Sequence, residues 1–200
     1  MLENKLGLRN QLELNRVEEK FSKIRAKELF ELDILKLFEV GTYKGLKSIH
    51  YYLFQDIYEF VGKQRDVNIA KGSFRFVPVM YLEPALKHID NMTMTTFEEI
   101  VEKYVEMNIA HPFREGNGRS TRIWLDLMMK DNVKKVIDWN LIDKEDYLLA
   151  MERSPIKDIE IKYLLKNALT DKINDREVYM KGIDISYYYE GYTKFLIDEL

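Results

Sequence analysis

The chain contains no cysteine among its 200 residues. This absence excludes disulfide bonds, thiolate metal sites and cysteine nucleophiles. Proline and glycine are scarce as well, with four and nine residues, which favours helices over a turn-rich β architecture. No apolar run approaches the ~18 residues of a membrane-spanning helix, and the first residues lack the apolar segment of a signal peptide. We therefore expect a cytoplasmic protein that does not bind membranes.

A large excess of charge of one sign is also missing. The formal net charge is −3, with 46% hydrophobic and 32% charged residues. This composition fits one globular domain and gives no general attraction to nucleic acid. Any site for an anion must therefore be local.

Helical periodicity dominates the first part of the chain. The pattern predicts one helix over residues 13–38, ending near Gly41 or Gly45, and a second over residues 46–61.

The pattern changes between residues 67 and 81. Residues 67–70 and 74–77 are short, extended-looking runs, and Pro78 follows them. This spacing predicts a small β-hairpin. Helical patterning resumes after Thr95 or Thr96, either of which can cap a helix.

The last part of the chain again reads as helical. A helix is predicted to open near Asn117, and Ser154 followed by Pro155 is typical of a helix start. Gly182 is predicted to stop one late helix, and a final helix is expected over residues 184–196. The fold class predicted from the sequence is therefore all-α with one small β-hairpin.

The segment 111–122 joins two of these helices and carries an unusual set of residues. Gly116 and Gly118 allow a positive φ and a close approach of the backbone to a ligand. The segment runs into a helix N-terminus, which attracts anions. Arg119 and Arg122 lie three residues apart on that helix, where two cations are unfavourable unless an anion lies between them. The pattern predicts a polyphosphate site.

Two other side chains of this segment suit phosphate chemistry. The Glu115 carboxylate can hold Mg²⁺ against phosphate oxygens. The His111 imidazole can take up a proton near neutral pH.

Residues 111–122 resemble the signature His-Pro-Phe-x-Asp/Glu-Gly-Asn-Gly-Arg-x-x-Arg of Fic-domain proteins and match it without a departure. Residues 48–58 and 62–65 are similar to the upstream helix and turn of that family. The resemblance covers about residues 45–165. It implies a Fic-type helical bundle, with a domain over residues 1–182 and an inhibitory helix over residues 183–200.

The resemblance implies that the protein is an enzyme using ATP and Mg²⁺. It would transfer AMP to a tyrosine, serine or threonine hydroxyl of a target protein and release pyrophosphate. His111 would be the general base and Glu115 would hold Mg²⁺. The residues expected to bind the phosphates are Gly116, Asn117, Gly118, Arg119 and Arg122. A family variant that phosphorylates its target has lysine in place of Gly118, so glycine favours AMP transfer.

The predicted hairpin is similar to the family's target-docking flap. Its expected residues are Lys71, Gly72, Ser73, Phe74, Arg75 and Phe76. The backbone of such a flap can add a strand to an extended segment of the target.

The resemblance extends to a regulatory motif near the C-terminus. Ser186, Glu190 and Gly191 match the motif Ser/Thr-x-x-x-Glu-Gly/Asn, whose position places the chain with class III of the family. Glu190 would pair with Arg122 and occupy the space of the γ-phosphate. On periodicity alone, the same helix is expected to pack through an apolar stripe formed by Ile185, Tyr188, Tyr189, Tyr192, Phe195 and Leu196.

Several alternatives remain open at the level of the sequence. Tyr187, Tyr188 and Tyr189 are candidates for self-modification that would dislodge the helix. The enzyme could also remove AMP, with Glu190 positioning water, or the protein could bind nucleotide without turnover. Related stand-alone proteins modify DNA gyrase and topoisomerase IV subunits, and some form homo-oligomers that hide the inhibitory helix; direct nucleic-acid binding is not expected.

Overall fold

The computed structural model of the chain describes residues 1–72 and 74–200. The described helices are α1 (Gln11–Glu31), α2 (Tyr43–Phe54), α3 (Val79–Asn91), α4 (Phe97–Ala110), α5 (Asn117–Asn132), α6 (Lys144–Arg153), α7 (Ile159–Asn167) and α8 (Arg176–Tyr189). The described strands are β1 (Ala70–Lys71), β2 (Phe74–Arg75), β3 (Val136–Ile137) and β4 (Leu169–Thr170), which form the antiparallel pairs β1–β2 and β3–β4. The predicted helical fold with a small hairpin is confirmed.

Helix α5 forms the centre of the bundle. Its Trp124, Leu125 and Met128 side chains are fully buried, and the helix packs against α2, α4 and α8. Because close packing leaves these side chains little freedom, the N-terminus of α5 is held in a fixed position. None of the described helices is long and apolar enough to cross a lipid bilayer.

The predicted cap of α4 is confirmed. The Thr96 hydroxyl accepts a hydrogen bond from the Glu99 N–H (3.3 Å), and the Glu99 carboxylate accepts one from the Thr96 N–H (3.1 Å). This reciprocal pair is a capping box, which fixes where the helix begins.

The first two predicted helices are shorter than expected. Helix α1 ends at Glu31 rather than at residue 38, because Asp33 adopts a left-handed conformation (φ 55°) that breaks the helix. Helix α2 ends at Phe54 rather than at residue 61. Helix α3 was not predicted, since Pro78 and the internal Pro84 obscure its helical pattern.

The predicted helix start at Ser154 is wrong. Ser154 follows the last residue of α6, and α7 begins at Ile159. Pro155 therefore acts as a terminator, since it has no N–H with which to continue the preceding helix. The β3–β4 pair was also missed, because two-residue strands carry no periodic signal.

The predicted break at Gly182 is wrong as well. Gly182 and Asp184 both lie inside α8, so a boundary at residue 182 falls within a helix. A Cβ at Gly182 would lie 3.1 Å from the indole ring of Trp139, so this glycine permits close packing instead of ending the helix. The helix ends at Tyr189, and Gly191 takes a positive φ of 89° just beyond it.

Candidate active site

The loop between α4 and α5 is shaped by two left-handed residues. His111 follows α4 with φ 50° and ψ 62°, and Gly116 precedes α5 with φ 76°. A Cβ at Gly116 would collide with the Phe54 ring. Both the conformation and the close approach therefore require glycine at residue 116.

The His111 ring lies beneath the flap. It stacks on Phe76 with ring centroids 3.7 Å apart and an interplanar angle of 18°. Burial lowers the pKa of His111 to about 4, opposed only in part by the backbone of Asn108. The imidazole is therefore neutral at pH 7, although the same burial makes it a weaker base than a free imidazole.

Arg65 holds this loop in place from within the protein. Its buried guanidinium donates hydrogen bonds to the carbonyls of His111 (2.7 Å), Ala110 (3.1 Å), Val67 (2.8 Å) and Val77 (2.5 Å). These bonds join the end of α4 to the segments on either side of the flap. The sequence motif did not identify this role, because it depends on contacts between residues far apart in the chain.

The Asn117 side chain is engaged inside the loop. Its amide donates to the Phe113 carbonyl (2.8 Å) and accepts from the Phe113 N–H (2.9 Å). This double bridge fixes the curvature of the loop at the start of α5. The contact of Asn117 with phosphate remains a prediction.

His50 supports the loop from below. The Gly62 N–H donates to His50 Nδ1 (2.9 Å), so Nε2 carries the proton and donates to the Glu115 carbonyl (2.9 Å). The ring also stacks on Phe113, with centroids 3.8 Å apart. Burial lowers the pKa of His50 to about 3, which keeps the ring neutral.

The free energy of unfolding should fall in mild acid because of His50. Its folded pKa lies below the value of about 6.5 in the unfolded chain, so only the unfolded chain binds a proton as the pH drops. The contribution of neutral His50 to the free energy of unfolding is complete above pH ~6.5. As the pH falls from there toward the folded pKa, this contribution decreases by about 1.4 kcal/mol per pH unit. Urea unfolding across this pH range measures the slope. His50→Gln should reduce this slope by the share of one group and leave the share of His111, whose pKa burial also lowers. The exposed His88→Gln control should leave the slope unchanged, and equal slopes in all three proteins would contradict the account.

Arg119 is more deeply buried than expected for a side chain that binds phosphate from solvent. It is 1% exposed and forms ion pairs with Glu18 of α1 (2.5 Å) and with Glu115 (3.0 Å). The guanidinium carbon also lies 4.7 Å from the ring centroids of Phe54 and Tyr192. Burial alone would lower the pKa of Arg119, but Glu18 outweighs this effect and raises it well above its usual value. The β-phosphate role of Arg119 remains a prediction.

Glu115 is the residue at this site that fits a metal ion. Its side chain is 41% exposed, and Oε1 accepts hydrogen bonds from the Gly116 N–H (2.9 Å) and from Arg119 (3.0 Å). Within residues 1–72 and 74–200, no group of three or more histidine, aspartate or glutamate side chains is placed to hold a metal. One carboxylate is enough for Mg²⁺ when substrate phosphates and water supply the other ligands.

Arg122 is surrounded by the end of α8. Its Nε donates to Ser186 Oγ (2.7 Å), and Nη2 donates to the Ser186 carbonyl (2.9 Å) and to Glu190 Oε1 (2.8 Å). Nη1 lies 3.4 Å from the Tyr147 hydroxyl. The structure thus brings together Arg122, Ser186 and Glu190, as the motif indicated.

Glu190 also contacts the flap. Its Oε2 lies 3.7 Å from Lys71 Nζ, and a Cβ at Gly118 would collide with Oε1. Burial would raise the pKa of Glu190, but Arg122 and Lys71 lower it to about 2. An ionised carboxylate therefore lies directly over the start of α5.

The aromatic residues beside Glu190 face in different directions. Tyr187 and Tyr189 are buried, whereas Tyr188 is 47% exposed and Leu196 is 56% exposed. The predicted apolar stripe is therefore wrong at Tyr188 and Leu196. The prediction assumed a helix through residue 196, but α8 ends at Tyr189. Within α8, Tyr187 faces α1, and Lys23 Nζ lies 5.2 Å from the centroid of the Tyr187 ring.

The C-terminal segment docks on buried charges of α1. Lys23 pairs with Asp184 (2.9 Å) and Glu19 (3.2 Å), and it donates to the Phe195 carbonyl (2.5 Å). The Glu19 carboxylate accepts the N–H groups of Lys194 (3.0 Å) and Phe195 (3.2 Å). The buried charges of Glu19 and Lys23 therefore have partners on both sides of Glu190 in the chain, at Asp184 and at Lys194 and Phe195.

The hairpin lies next to the base. Ala70 pairs with Arg75 and Lys71 with Phe74, with Gly72 at the turn. Phe76 follows β2 and covers His111. Ser73, which was expected in the flap, lies outside the described residues.

The chain is similar in sequence to known proteins. Residues 41–129 match the model of the Fic/DOC family. The chain is 30% identical over 194 residues to a protein of Bartonella schoenbuchensis named protein adenylyltransferase VbhT, covering 90% of this chain but only 40% of that protein. It is 26% identical to a probable protein adenylyltransferase Fic of Escherichia coli, covering 88% of this chain and 91% of that protein.

Solved structures share the fold. The BepC protein of Bartonella tribocorum with bound AMPPNP superposes with a TM-score of 0.68 at 18% identity, over 85% of this chain and 92% of that one. The N-terminal Fic domain of a Bep effector from Bartonella sp. AR 15-3 gives a TM-score of 0.70 at 19% identity, over 85% and 88%. At these identities the likeness concerns the fold.

Proposed function

The chain belongs to the Fic/DOC family, and from that premise we propose that it is a protein adenylyltransferase held in an inhibited state. It transfers AMP from ATP to a tyrosine, serine or threonine hydroxyl of a target protein and releases pyrophosphate. The observation that carries the proposal is the position of His111 under the flap, beside the glycine-rich start of α5.

The reaction needs a proton acceptor and a site for phosphate charge. His111 takes the proton of the target hydroxyl, whose oxygen attacks the α-phosphorus of ATP. The bond from the α-phosphorus to the bridging oxygen breaks, and pyrophosphate leaves with the electron pair. The free N–H groups at the start of α5 stabilise the charge on the phosphates. Glu115 is the residue that would hold Mg²⁺, which neutralises phosphate charge when bound.

The inhibited state rests on the pairing of Arg122 with Glu190. A guanidinium recognises carboxylate and phosphate with the same fork of N–H groups. Glu190 thus takes the place of the γ-phosphate of ATP on Arg122, at 2.8 Å. This arrangement, at the C-terminal end of the domain, supports assignment to class III.

The reaction type is tested with ATP labelled at different phosphates. The Glu190→Gly variant is incubated in a bacterial lysate with ATP carrying the label on either the α- or the γ-phosphate. AMP transfer places label on protein from the α-position only. Label from the γ-position would indicate phosphorylation and contradict the proposal, as would a folded variant that labels nothing. Loss of α-label with time in the presence of the wild-type protein would indicate that it removes AMP.

The target docks along the flap in this proposal. Strands β1 and β2 offer backbone groups to an extended segment, which would bring its hydroxyl to His111 beneath Phe76. The subunits of DNA gyrase and topoisomerase IV are the first targets to assay. Measuring the molecular mass of the wild type and of Glu190→Gly in solution tests whether the protein forms the proposed homo-oligomer.

Self-modification, where it occurs, is expected at Tyr188. Tyr187 and Tyr189 are buried, so their hydroxyls are not accessible without unfolding of α8. Peptide mass spectrometry of the ATP-treated Glu190→Gly variant should find AMP on Tyr188, and Tyr188→Phe should remove it. AMP on Tyr187 in the folded protein would contradict this assignment.

A further inference from the structure

Lys71 of the hairpin extends toward the cluster around Arg122. Its Nζ lies 3.7 Å from Glu190 Oε2, and the other oxygen of the same carboxylate, Oε1, lies 2.8 Å from Arg122 Nη2. One carboxylate therefore bridges two cations that come from two different elements, the flap and helix α5. Within residues 1–72 and 74–200, Glu190 is the only carboxylate at ion-pair distance from Lys71.

The register of the hairpin explains why this lysine points toward the site. Lys71 is paired with Phe74, and the side chains of paired residues lie on the same face of a hairpin. Phe76, two residues after Phe74, covers the His111 ring. Arg75 belongs to the next pair of the ladder, so its side chain lies on the other face. The flap thus turns Lys71 toward the active site and Arg75 away from it.

The surroundings of the bridging carboxylate suit a phosphate group. A Cβ at Gly118 would collide with Glu190 Oε1, so the carboxylate lies against the first turn of α5, whose free N–H groups attract anions. Arg122 and Lys71 carry two positive charges, whereas the carboxylate carries one negative charge. A terminal phosphate group carries close to two negative charges near neutral pH and has three acceptor oxygens. Both cations can therefore bind one phosphate group at the same time.

We propose that Lys71 is a second ligand of the γ-phosphate of ATP, supplied by the flap. This inference rests on the proposed function, in which Glu190 takes the place of that phosphate on Arg122. When ATP replaces the carboxylate, the γ-phosphate lies between Arg122 and Lys71, as the carboxylate of Glu190 does in the inhibited state. Lys71 then makes the site prefer a nucleoside triphosphate over a diphosphate, and it ties the bound nucleotide to the flap.

The ratio of triphosphate to diphosphate affinity tests this role without any transfer reaction. The probes are the α,β-methylene analogues of ATP and ADP, in which the bond between the α-phosphorus and the bridge is not cleaved, titrated by calorimetry with Mg²⁺. In the Glu190→Gly protein, Lys71→Gln should weaken binding of the triphosphate analogue about fivefold, the upper range for one exposed ion pair. Binding of the diphosphate analogue should not change. An unchanged ratio of the two affinities would overturn the proposal.

Two matched variants distinguish a direct contact from a general effect on the flap. Lys71→Arg keeps a cation at this residue and should retain most of the preference for the triphosphate. Arg75→Gln removes a charge from the other face of the same hairpin and should leave the ratio of affinities unchanged. A fall with Arg75→Gln equal to that with Lys71→Gln, or complete loss of the preference with Lys71→Arg, would contradict a direct contact with the γ-phosphate.

The same titrations separate this proposal from the proposed function. The wild type should bind the triphosphate analogue more weakly than Glu190→Gly does, because Glu190 competes with the γ-phosphate for Arg122. Equal affinity of the two proteins would contradict both the inhibited state and the role of Lys71. Tighter binding by Glu190→Gly, with a ratio of affinities that Lys71→Gln does not change, would contradict the role of Lys71 alone.

Discussion

Replacing Glu190 with glycine is expected to raise the rate of AMP transfer by about 5- to 150-fold, the range that corresponds to an interaction free energy of about 1–3 kcal/mol. In the proposed inhibited state the carboxylate and the γ-phosphate compete for Arg122, so removing the carboxylate would leave the guanidinium free for ATP. Arg122 keeps its bonds to Ser186 and its contact with Tyr147, so the fold does not depend on Glu190. Initial rates of pyrophosphate release at saturating target measure the change.

Matched variants separate the charge of Glu190 from the flexibility of glycine. Glu190→Gln keeps the size and a hydrogen bond to Arg122 but removes the charge, so its rate should lie between those of the wild type and Glu190→Gly. Glu177→Gly changes an exposed glutamate in the first turn of the same helix, whose ion pair is with Lys181. This control should leave the rate at the wild-type level. A rise equal to that of Glu190→Gly would show that loosening of α8, and not loss of the carboxylate, activates the enzyme.

Substituting His111 in the activated background should lower AMP transfer by about 10²- to 10⁴-fold, the usual contribution of a general base. His111→Asn suits this test because asparagine tolerates the left-handed conformation of this residue (φ 50°). The Glu190→Gly/His111→Asn protein should still bind ATP, since the start of α5, which we propose binds the phosphates, is unchanged. Calorimetric titration with ATP and the rate of pyrophosphate release measure the two properties separately.

The outcome distinguishes a base from a structural residue. Loss of transfer with retained ATP affinity is expected for a proton acceptor. Loss of both would place His111 among the residues that shape the nucleotide site. Retained transfer would contradict its assignment as the base.

The parts of the structure that depend on local chemistry could be predicted from the sequence. The Thr96 cap depends on residues within one helical turn, and the hairpin on a short alternating pattern around Gly72. The contact between Arg122 and Glu190 was accessible only through the resemblance to a family. Periodicity alone would have left Glu190 in solvent.

The parts that depend on distant residues could not be predicted in this way. Arg65 binds carbonyls 45 and 46 residues away, and Arg119 pairs with Glu18 from the other end of the domain. The charged residues Glu18, Glu19 and Lys23 of α1 are buried, which the helical pattern of the sequence does not show. Their partners, including the C-terminal segment, are brought to α1 only by the tertiary fold.

Gly182 illustrates the same limit for secondary structure. Glycine in a helical pattern favours a helix end by local propensity. Packing against Trp139 outweighs that propensity here, since the close approach of the two elements leaves no room for a larger side chain. Tertiary contacts therefore decided the length of α8.

The central claim is that a complete transfer site is held inactive by Glu190. It is tested most directly by incubating a bacterial lysate with α-labelled ATP and either the wild type, Glu190→Gly or Glu190→Gly/His111→Asn. The account predicts labelled protein bands with Glu190→Gly alone. Equal labelling by the wild type, or labelling that persists in the double variant, would contradict it.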